Sequence, residues 1–209
     1  LKSVAASAGL TFEVCVVDNA SSDASAAMIA REFPQVHLIR NQDNVGYAAA
    51  NNLGLRHFGF KDLGSGLSDQ ESDNPPSAPP LRFTPGAIAR IPQSKTPRYA
   101  LLLNPDTIVP IDGLARMIGL MDQRSDLGIA GPKLVRLDGS LDLACRRSFP
   151  TPEVSFWRMT YLSKIFPHSK LFGRYNMTYL DPNQPAEIDA VVGAFLLVRR
   201  TAIEQAGLL

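Results

Sequence analysis

The chain has 209 residues and a formal net charge of +1; 45% of its residues are hydrophobic and 20% are charged. This composition supports one large globular domain with a sizeable core, and the nearly balanced charge argues against a general nucleic-acid-binding protein. The two cysteines, Cys15 and Cys145, do not make a disulfide framework, so we expect a reducing, cytoplasmic location. No apolar run of about 18 residues or more occurs, and we therefore expect no membrane-spanning helix.

Apolar runs alternate with segments of helical periodicity along most of the chain. In chain order we predict a strand at 14–17, a helix at 24–33, a strand at 36–39, a helix at 45–58, a strand at 99–103, a helix at 111–123, a strand at 127–130, an apolar run at 188–198 and a helix at 201–206. Such alternation is typical of α/β proteins with a mainly parallel sheet flanked by helices. In these sheets ligands bind beyond the carboxyl ends of the strands.

Residues 61–97 interrupt this alternation. The segment holds seven of the sixteen prolines, together with many serines, glycines and aspartates. Because such a composition buries too little apolar surface to offset the entropy lost on ordering, we expect a flexible insertion within a single domain.

Residues 145–175, which we call the basic-aromatic segment, form a second interruption. Six basic side chains and a single acid, Glu153, are interleaved here with seven aromatic side chains. Two interpretations stay open. The segment is either a helical excursion packed on the sheet or a basic-aromatic surface that faces a membrane or an anionic acceptor.

The motif "VVDNASSD", residues 16–23, follows the first predicted strand and places Asp18 and Asn19 before a helix. Asp18 either holds a nucleobase or ribose, or initiates a turn and caps the helix. The motif "NVGYAAANN", residues 44–52, places Gly46 and three alanines at the start of the next helix. These small residues either let a phosphate approach the helix N-terminus or allow close packing of the helix on the sheet.

The stretch "YALLLNPDTIVP", residues 99–110, ends a buried strand with Asn104, Pro105 and Asp106. Asp106 thus lies at the edge where open α/β sheets bind ligands. A hard cation such as Mg²⁺ or Mn²⁺ takes oxygen ligands, often one or two carboxylates completed by substrate phosphates. The alternative is an Asn-Pro turn in which Asp106 caps a helix from Thr107 onward.

Six stretches occur in a fixed order: "VCVVDNASSD", "NVGYAAANNLGL", "YALLLNPDTIVP", "GIAGPKLVRLDGSL", "CRRSFPTP" and "IDAVVGAFLLVRR". Together they resemble the family 2 glycosyltransferases, which have a GT-A (Rossmann-like) fold, and most closely the rhamnosyltransferase-like branch. The resemblance covers most of the chain outside residues 61–97. The chain starts with Leu1 rather than methionine, and the family's first strand is missing before it. We therefore expect residues 1–209 to be a partial GT-A domain that is cut at both ends.

The resemblance implies a role for each motif residue. Asp106 would be the metal ligand for Mg²⁺ or Mn²⁺, in the family's D-x-D position, where Asn104 replaces the first acid. Gly193 and Ala194 would line the sugar and acceptor side, and Asp18 would contact the nucleobase. The donor-binding residues would be Asp18, Asn19, Asn44, Gly46, Asn51 and Asn104.

No catalytic base is assigned. By resemblance it lies in an acidic motif expected beyond Leu209. Within the chain Asp181, Glu187 and Asp189 are candidates by charge alone, and we favour none of them.

The activity implied by the resemblance is inverting, metal-assisted hexosyl transfer from a nucleotide-diphosphate sugar, with rhamnose as one candidate sugar. The acceptor would be a polysaccharide or a lipid-linked glycan, reached at the inner face of the plasma membrane through residues 145–175. One alternative is a non-catalytic nucleotide- or glycan-binding module of the same fold. A nucleotidyltransferase is a further alternative, but no Gly-rich phosphate loop supports it.

Overall fold

The structure, a computed structural model, describes residues 1–61 and 97–209. The predicted insertion at 61–97 lies outside the described residues apart from its two end positions. The chain divides into two compact units. Unit 1 comprises Leu1–Leu10 and Leu101–Arg199, and unit 2 comprises the described residues of Thr11–Ala100 together with Arg200–Leu209.

The described residues form a mixed α/β structure, which confirms the predicted class. In chain order the elements are α1 (Lys2–Ala5), β1 (Cys15–Asp18), α2 (Ser25–Glu32), β2 (His37–Arg40), α3 (Tyr47–His57), β3 (Tyr99–Leu103), α4 (Gly113–Gln123), β4 (Ile129–Ala130), a 3₁₀ turn (Leu143–Cys145), α5 (Pro152–Met159), α6 (Leu162–Ile165), β5 (Phe195–Arg199) and α7 (Arg200–Ala206). Within the described ranges, no helix is both long and apolar enough to cross a membrane.

Unit 2 contains a parallel pair of strands. β1 pairs with β2 in a register that runs from Cys15 opposite His37 to Asp18 opposite Arg40. The connection through α2 is the crossover that a parallel pair requires. α2 packs on β2, and α3 packs on β1. The carboxyl ends of both strands therefore meet at one edge, as the sequence predicts.

Unit 1 contains most of a three-stranded sheet of order β3-β5-β4. β4 pairs antiparallel with β5, with Ile129 opposite Val198. At one end of the β3–β5 pair the N–H of Asn104 donates to the carbonyl of Ala194 (3.0 Å), which continues an antiparallel register. The predicted parallel arrangement thus holds for β1 and β2, whereas β5 runs against its neighbours. An apolar run indicates burial but carries no information about strand direction.

Helix α4 is attached to unit 1 by its apolar face and by an arginine clamp. Leu114 and Met121, two turns apart on one face, are buried. At the end of the helix, the guanidinium of Arg199 donates to the carbonyls of Met121 (2.5 Å), Arg124 (3.0 Å) and Leu127 (2.9 Å). The bond to Met121 satisfies a carbonyl that the helix C-terminus leaves without an intrahelical partner, and the other two bonds hold the chain that follows the helix.

The basic-aromatic segment contains the two short helices α5 and α6. α5 begins at Pro152, and the Thr151 hydroxyl caps it by accepting the N–H of Val154 (3.3 Å). Backbone bonds between Arg147 and Ala190, in both directions, tie the start of the segment to the chain before β5. The basic-aromatic segment is therefore partly helical, as one of the two interpretations expects. A membrane-facing role stays a prediction.

Candidate functional site

Asp18 ends β1 as a buried carboxylate with 6% of its surface exposed. Its Oδ1 accepts the N–H of Ser21 (3.3 Å), and its Oδ2 lies 3.8 Å from Nε of the exposed Arg40. The first turn of α2 is served instead by Asp23, whose Oδ1 accepts the N–H of Ser25 (2.9 Å). Asp18 therefore forms a turn and does not cap α2. Its contact with a nucleobase stays a prediction.

The side chain of Asn19 connects the loops that follow β1 and β2. Its Oδ1 accepts from Asn41 Nδ2 (3.0 Å) and from the N–H of Val45 (3.0 Å). Its Nδ2 donates to Asn44 Oδ1 (2.7 Å) and, at 3.4 Å, to the carbonyl of Gly46. An amide offers two donor and two acceptor positions, and all four are used here. Asn19 thus shapes the loop, and its amide has no hydrogen-bonding position left for a bound nucleotide sugar.

The backbone at the start of α3 is open to solvent. Gly46 has φ +84° and ψ 168°, a conformation that L side chains rarely adopt, and a Cβ placed there would meet no atom within 4 Å. Ala48 and Ala49 are exposed, and only Ala50 of the three alanines is buried. Close packing of α3 on the sheet therefore explains Ala50 but leaves Gly46, Ala48 and Ala49 unexplained.

Two further asparagines lie along α3. Asn51 donates to the carbonyl of Tyr47, one turn earlier (2.9 Å), so its amide supports the first turn of the helix. Asn52 is buried; its Nδ2 donates to the carbonyl of Leu209 (2.7 Å), and its Oδ1 accepts the N–H of Leu209 (3.0 Å). The sequence analysis missed Asn52, although a second amide inside a helix of small and apolar residues is a signal for a buried hydrogen-bonding partner.

In unit 1, Asn104 and Thr107 close a tight turn after β3. The N–H of Asn104 donates to the carbonyl of Ala194 (3.0 Å), and the Thr107 hydroxyl donates to the same oxygen (3.2 Å). The N–H of Thr107 donates to the carbonyl of Asn104 (3.2 Å). The predicted metal motif and the predicted acceptor-side pair, Gly193 and Ala194, are therefore neighbours.

Asp106 occupies the exposed corner of this turn. Across residues 1–61 and 97–209 its carboxylate has no hydrogen bond and no ion pair. The following helix α4 begins at Gly113 with Asp112 as its N-cap, so the alternative in which Asp106 caps a helix from Thr107 is wrong. Six residues, 107–112, which include Pro110, separate Asp106 from the start of α4.

The described residues contain no group of three or more His, Cys, Asp or Glu side chains that could hold a metal ion. An ion enclosed by protein ligands does not fit this part of the chain. A single free carboxylate at Asp106 does fit the way Mg²⁺ is often bound, through one or two carboxylates, several waters and substrate phosphates. The Asp106 carboxylate therefore fits an ion whose other ligands are waters and substrate phosphates.

Two of the three acidic residues before β5 accept hydrogen bonds from backbone N–H groups. Oδ1 of Asp181 accepts the N–H of Asn183 (2.9 Å), and Oδ2 of Asp189 accepts the N–H of Phe149 (3.3 Å). Glu187 is exposed. No feature of these three residues identifies a catalytic base.

The predicted site residues fall into two groups. Unit 2 holds the donor-side group, which consists of Asp18, Asn19, Asn44, Gly46 and Asn51. Unit 1 holds the second group, which consists of Asn104, Asp106, Gly193 and Ala194. Within each group the structure places the residues on adjoining loops or on the first turns of one helix.

Residues 1–59 match the family model described as Glycosyl transferase family 2. The match includes the whole donor-side group and ends before Asn104. No curated protein and no solved structure matched the chain. The mixed α/β structure, with its small parallel sheet, is consistent with a GT-A type fold. The chain is therefore similar to family 2 glycosyltransferases over its first 59 of 209 residues.

Proposed function

We propose that this protein is an inverting, metal-assisted glycosyltransferase that uses a nucleotide-diphosphate sugar. The observation that carries the proposal is the exposed start of α3, held open by the Asn19 network within the residues that match family 2. Gly46 leaves free space above the backbone, and the side chains of Ala48 and Ala49 add little bulk. A diphosphate needs such access to backbone N–H groups.

The donor-side residues then take separate tasks. The N–H groups of the first turn of α3 and the helix dipole bind the diphosphate. Asp18, whose Oδ2 lies beyond hydrogen-bond distance of Arg40, contacts the nucleobase. Asn44 accepts the N–H of Gly46 (3.0 Å) and so fixes the backbone at the start of the helix. Asn19 holds this loop and does not touch the donor.

Asp106 is the residue that would hold Mg²⁺ or Mn²⁺ together with the donor phosphates. When bound, the ion would neutralise the negative charge that develops on the leaving nucleoside diphosphate. Asn104 contributes through the backbone of the turn, because its N–H and carbonyl fix the position of Asp106. Gly193 and Ala194 lie beside this turn and border the sugar and acceptor side.

The acceptor hydroxyl needs a general base, and we assign that role to no residue of the described ranges. We propose a polysaccharide or lipid-linked glycan as the acceptor, reached at the inner face of the plasma membrane, and rhamnose as a candidate sugar. The rhamnosyltransferase-like branch rests on the six sequence stretches alone.

A non-catalytic binding module of the same fold is the second candidate. Two observations favour it: Asn104 replaces the first acid of the D-x-D position, and the carboxylates of Asp181 and Asp189 accept backbone N–H groups. Transfer of sugar to an acceptor by the protein would exclude this alternative. Donor binding without transfer by that protein would support it.

The metal-assisted function is tested by titrating Mn²⁺ and a nucleotide-diphosphate sugar into the protein and its Asp106→Ala variant. We expect Asp106→Ala to lose the metal-dependent part of donor affinity, about thirtyfold or more, because truncating one partner of a charge pair that the complex buries typically costs about 2 kcal/mol or more. Asp138→Ala, which removes another exposed carboxylate of unit 1, is the matched control and should bind as the parent does. Equal metal dependence in Asp106→Ala and the parent would remove Asp106 from the metal site.

A further inference from the structure

The exposed hydrophobic side chains of the described residues are concentrated in the basic-aromatic segment. Seventeen large hydrophobic side chains are exposed in the described part of the chain, and seven of them lie between positions 149 and 171. We call these seven the aromatic patch. They are Phe149, Phe156, Met159, Tyr161, Ile165, Phe166 and Leu171. Scattered single hydrophobic residues are normal on a surface, whereas a concentrated group marks an interaction site.

Helix α5 presents an apolar face to solvent. It buries Val154, while Phe156 is 55% and Met159 is 79% exposed. At about 100° of rotation per residue, Phe156 and Met159 lie about 60° apart and on the side of the helix opposite Val154. A helix that only covers a core would carry polar residues on that outer face.

Ring contacts link the two helices of the segment into one surface. Phe156 contacts Trp157, with ring centroids 5.0 Å apart, and Trp157 contacts Phe172 at 5.0 Å. Phe172 in turn contacts Phe166 at 5.7 Å. The exposed rings of Phe156, on α5, and Phe166, just after α6, are therefore joined through a continuous row of aromatic side chains. The two pairs that include Trp157 are edge-to-face, a preferred geometry that helps to hold the patch in place.

Exposed cations accompany the aromatic patch. Arg158, Lys164, Lys170 and Arg174 are exposed, and no carboxylate in the described residues forms an ion pair with any of them. Lys164 lies over the ring of Tyr161, 4.9 Å from its centroid, and Arg158 lies over the ring of Tyr175 at 4.3 Å. The positive charges thus adjoin the apolar surface and have no internal counter-charge.

We propose that the aromatic patch and its four cations form a docking surface for a bilayer that contains anionic lipids. Aromatic and aliphatic side chains enter the headgroup region, and the lysines and arginines contact lipid phosphates. A protein partner with an apolar groove would satisfy the patch but not the four unpaired charges. The inference rests on the membrane-located acceptor of the proposed function and deepens it by naming the residues that contact the bilayer. It is measured without donor, metal or acceptor, so that each can fail independently.

The test is co-sedimentation of the 209-residue chain with vesicles of phosphatidylcholine, with or without phosphatidylglycerol, at low and high salt. We expect binding to the anionic vesicles only, and weaker binding at high salt. Lys164→Gln combined with Lys170→Gln should lower the partition coefficient by about fivefold per charge removed. Met159→Ser should also lower it, and this variant alters no ring contact. Phe156→Ser combined with Phe166→Ser should lower it further.

Leu137→Ser and Lys2→Gln are the matched controls. Leu137 is 99% exposed but lies outside the patch, and Lys2 is an exposed cation on α1. Both should bind as the parent does. Equal binding to the two kinds of vesicle, no binding by the folded chain, or unchanged binding in the Met159 and lysine variants would overturn the proposal. Self-association of the parent that is lost in Met159→Ser would also overturn it, because a second copy would then occupy the patch.

Discussion

The donor-side residues of unit 2 are tied together by side-chain amides, whereas the candidate metal ligand of unit 1 has no partner among the described residues. Asn19 makes four hydrogen bonds across two loops. The turn that carries Asp106 is closed through the carbonyls of Asn104 and Ala194 and the hydroxyl of Thr107, and the carboxylate takes no part. In unit 2 the asparagines of the candidate site also hold its loops together. In unit 1 the carboxylate of Asp106, the candidate metal ligand, takes no part in the hydrogen bonds that hold its turn.

Because of this difference, a substitution measures different properties in the two units. Removal of a unit 2 amide changes loop structure and donor binding together, so a loss of binding alone does not identify a contact. Removal of the Asp106 carboxylate changes the chemistry and leaves the turn intact. The Asn19 and Asp106 predictions below separate these two cases, and the glycine and histidine predictions test the packing of unit 1 and of unit 2. They are ordered from the largest expected effect to the smallest.

Gly173→Ala should have the largest effect, because unit 1 depends on close backbone packing. A Cβ at Gly173 would collide with the carbonyls of Pro167 and Ser169 and with the Thr178 hydroxyl. We expect a loss of about 3 kcal/mol in the free energy of unfolding. Fluorescence of Trp157, the only tryptophan and a neighbour of Phe172, reports this unfolding in denaturant.

Gly119→Ala is the matched control for that substitution. Gly119 lies inside α4, and a Cβ there would meet no atom within 4 Å. The change should stabilise the protein by about 0.5–1 kcal/mol. Similar losses in both glycine variants would contradict the packing that the structure shows around Gly173.

Asn19→Ala should destabilise unit 2 by about 1–3 kcal/mol, because it leaves the partners of four hydrogen bonds without their amide. Hydrogen exchange of the backbone amides at 41–47 should become faster, and donor affinity should fall with it. Asn19→Asp keeps both acceptor bonds but places an oxygen against Asn44 Oδ1 and the carbonyl of Gly46, so we expect an intermediate loss. Unchanged exchange in both variants would show that Asn19 does not hold the loop.

Acidification should weaken unit 2 to a smaller extent through His57. Burial, and then the charge of His37, lower the pKa of His57 below its ordinary value of 6.5, while Glu13 acts in the opposite direction. The folded state therefore binds this proton less readily than the unfolded chain. The contribution is complete above about pH 6.5 and is lost as the pH falls through the lowered pKa.

Thermal unfolding of the parent and of His57→Gln at pH 7.5 and 5.5 measures this contribution. The drop in midpoint between the two pH values should be smaller in His57→Gln. His37→Gln is informative as a second variant, because the two rings lie 4.6 Å apart and its removal should raise the pKa of His57. An equal drop in the parent and in His57→Gln would exclude His57 as the source.

Asp106→Ala should have almost no effect on stability, within about 0.5 kcal/mol of the parent, because the carboxylate is exposed and makes no described contact. Chemical denaturation of Asp106→Ala and of the parent measures this difference. A loss of 1 kcal/mol or more would mean that Asp106 supports the turn, and the contrast with Asn19 would disappear.

Much of the fold could be predicted from local sequence patterns. β3 has the predicted bounds, Tyr99–Leu103, because a short apolar run stops at Asn104 and Pro105. The two polar loops at the edge of the parallel pair could also be predicted, because each lies between the end of a strand and the start of a helix. α4 begins two residues later than predicted, at Gly113, because Asp112 takes the N-cap position.

The remaining features depend on partners that are distant in sequence. Three features each join residues more than sixty positions apart: the antiparallel pairing of β4 with β5, the hydrogen bonds of Arg199 at the end of α4, and the bonds between Asn52 and Leu209. No local pattern encodes such pairings. The four hydrogen bonds of Asn19 could likewise not be predicted, because its partners lie on the loop after β2 and become known only when the loops after β1 and β2 are placed side by side.

The central claim is that the open start of α3 and the free carboxylate of Asp106 serve a nucleotide-diphosphate sugar. Calorimetric titration of the protein with a panel of such sugars, first with Mn²⁺ and then with a chelator, tests it most directly. We predict saturable binding of at least one member, weakened by the chelator and by Asp106→Ala and unchanged in Asp138→Ala. A folded protein that binds no member of the panel, or binds one equally well with chelator present, would contradict the account.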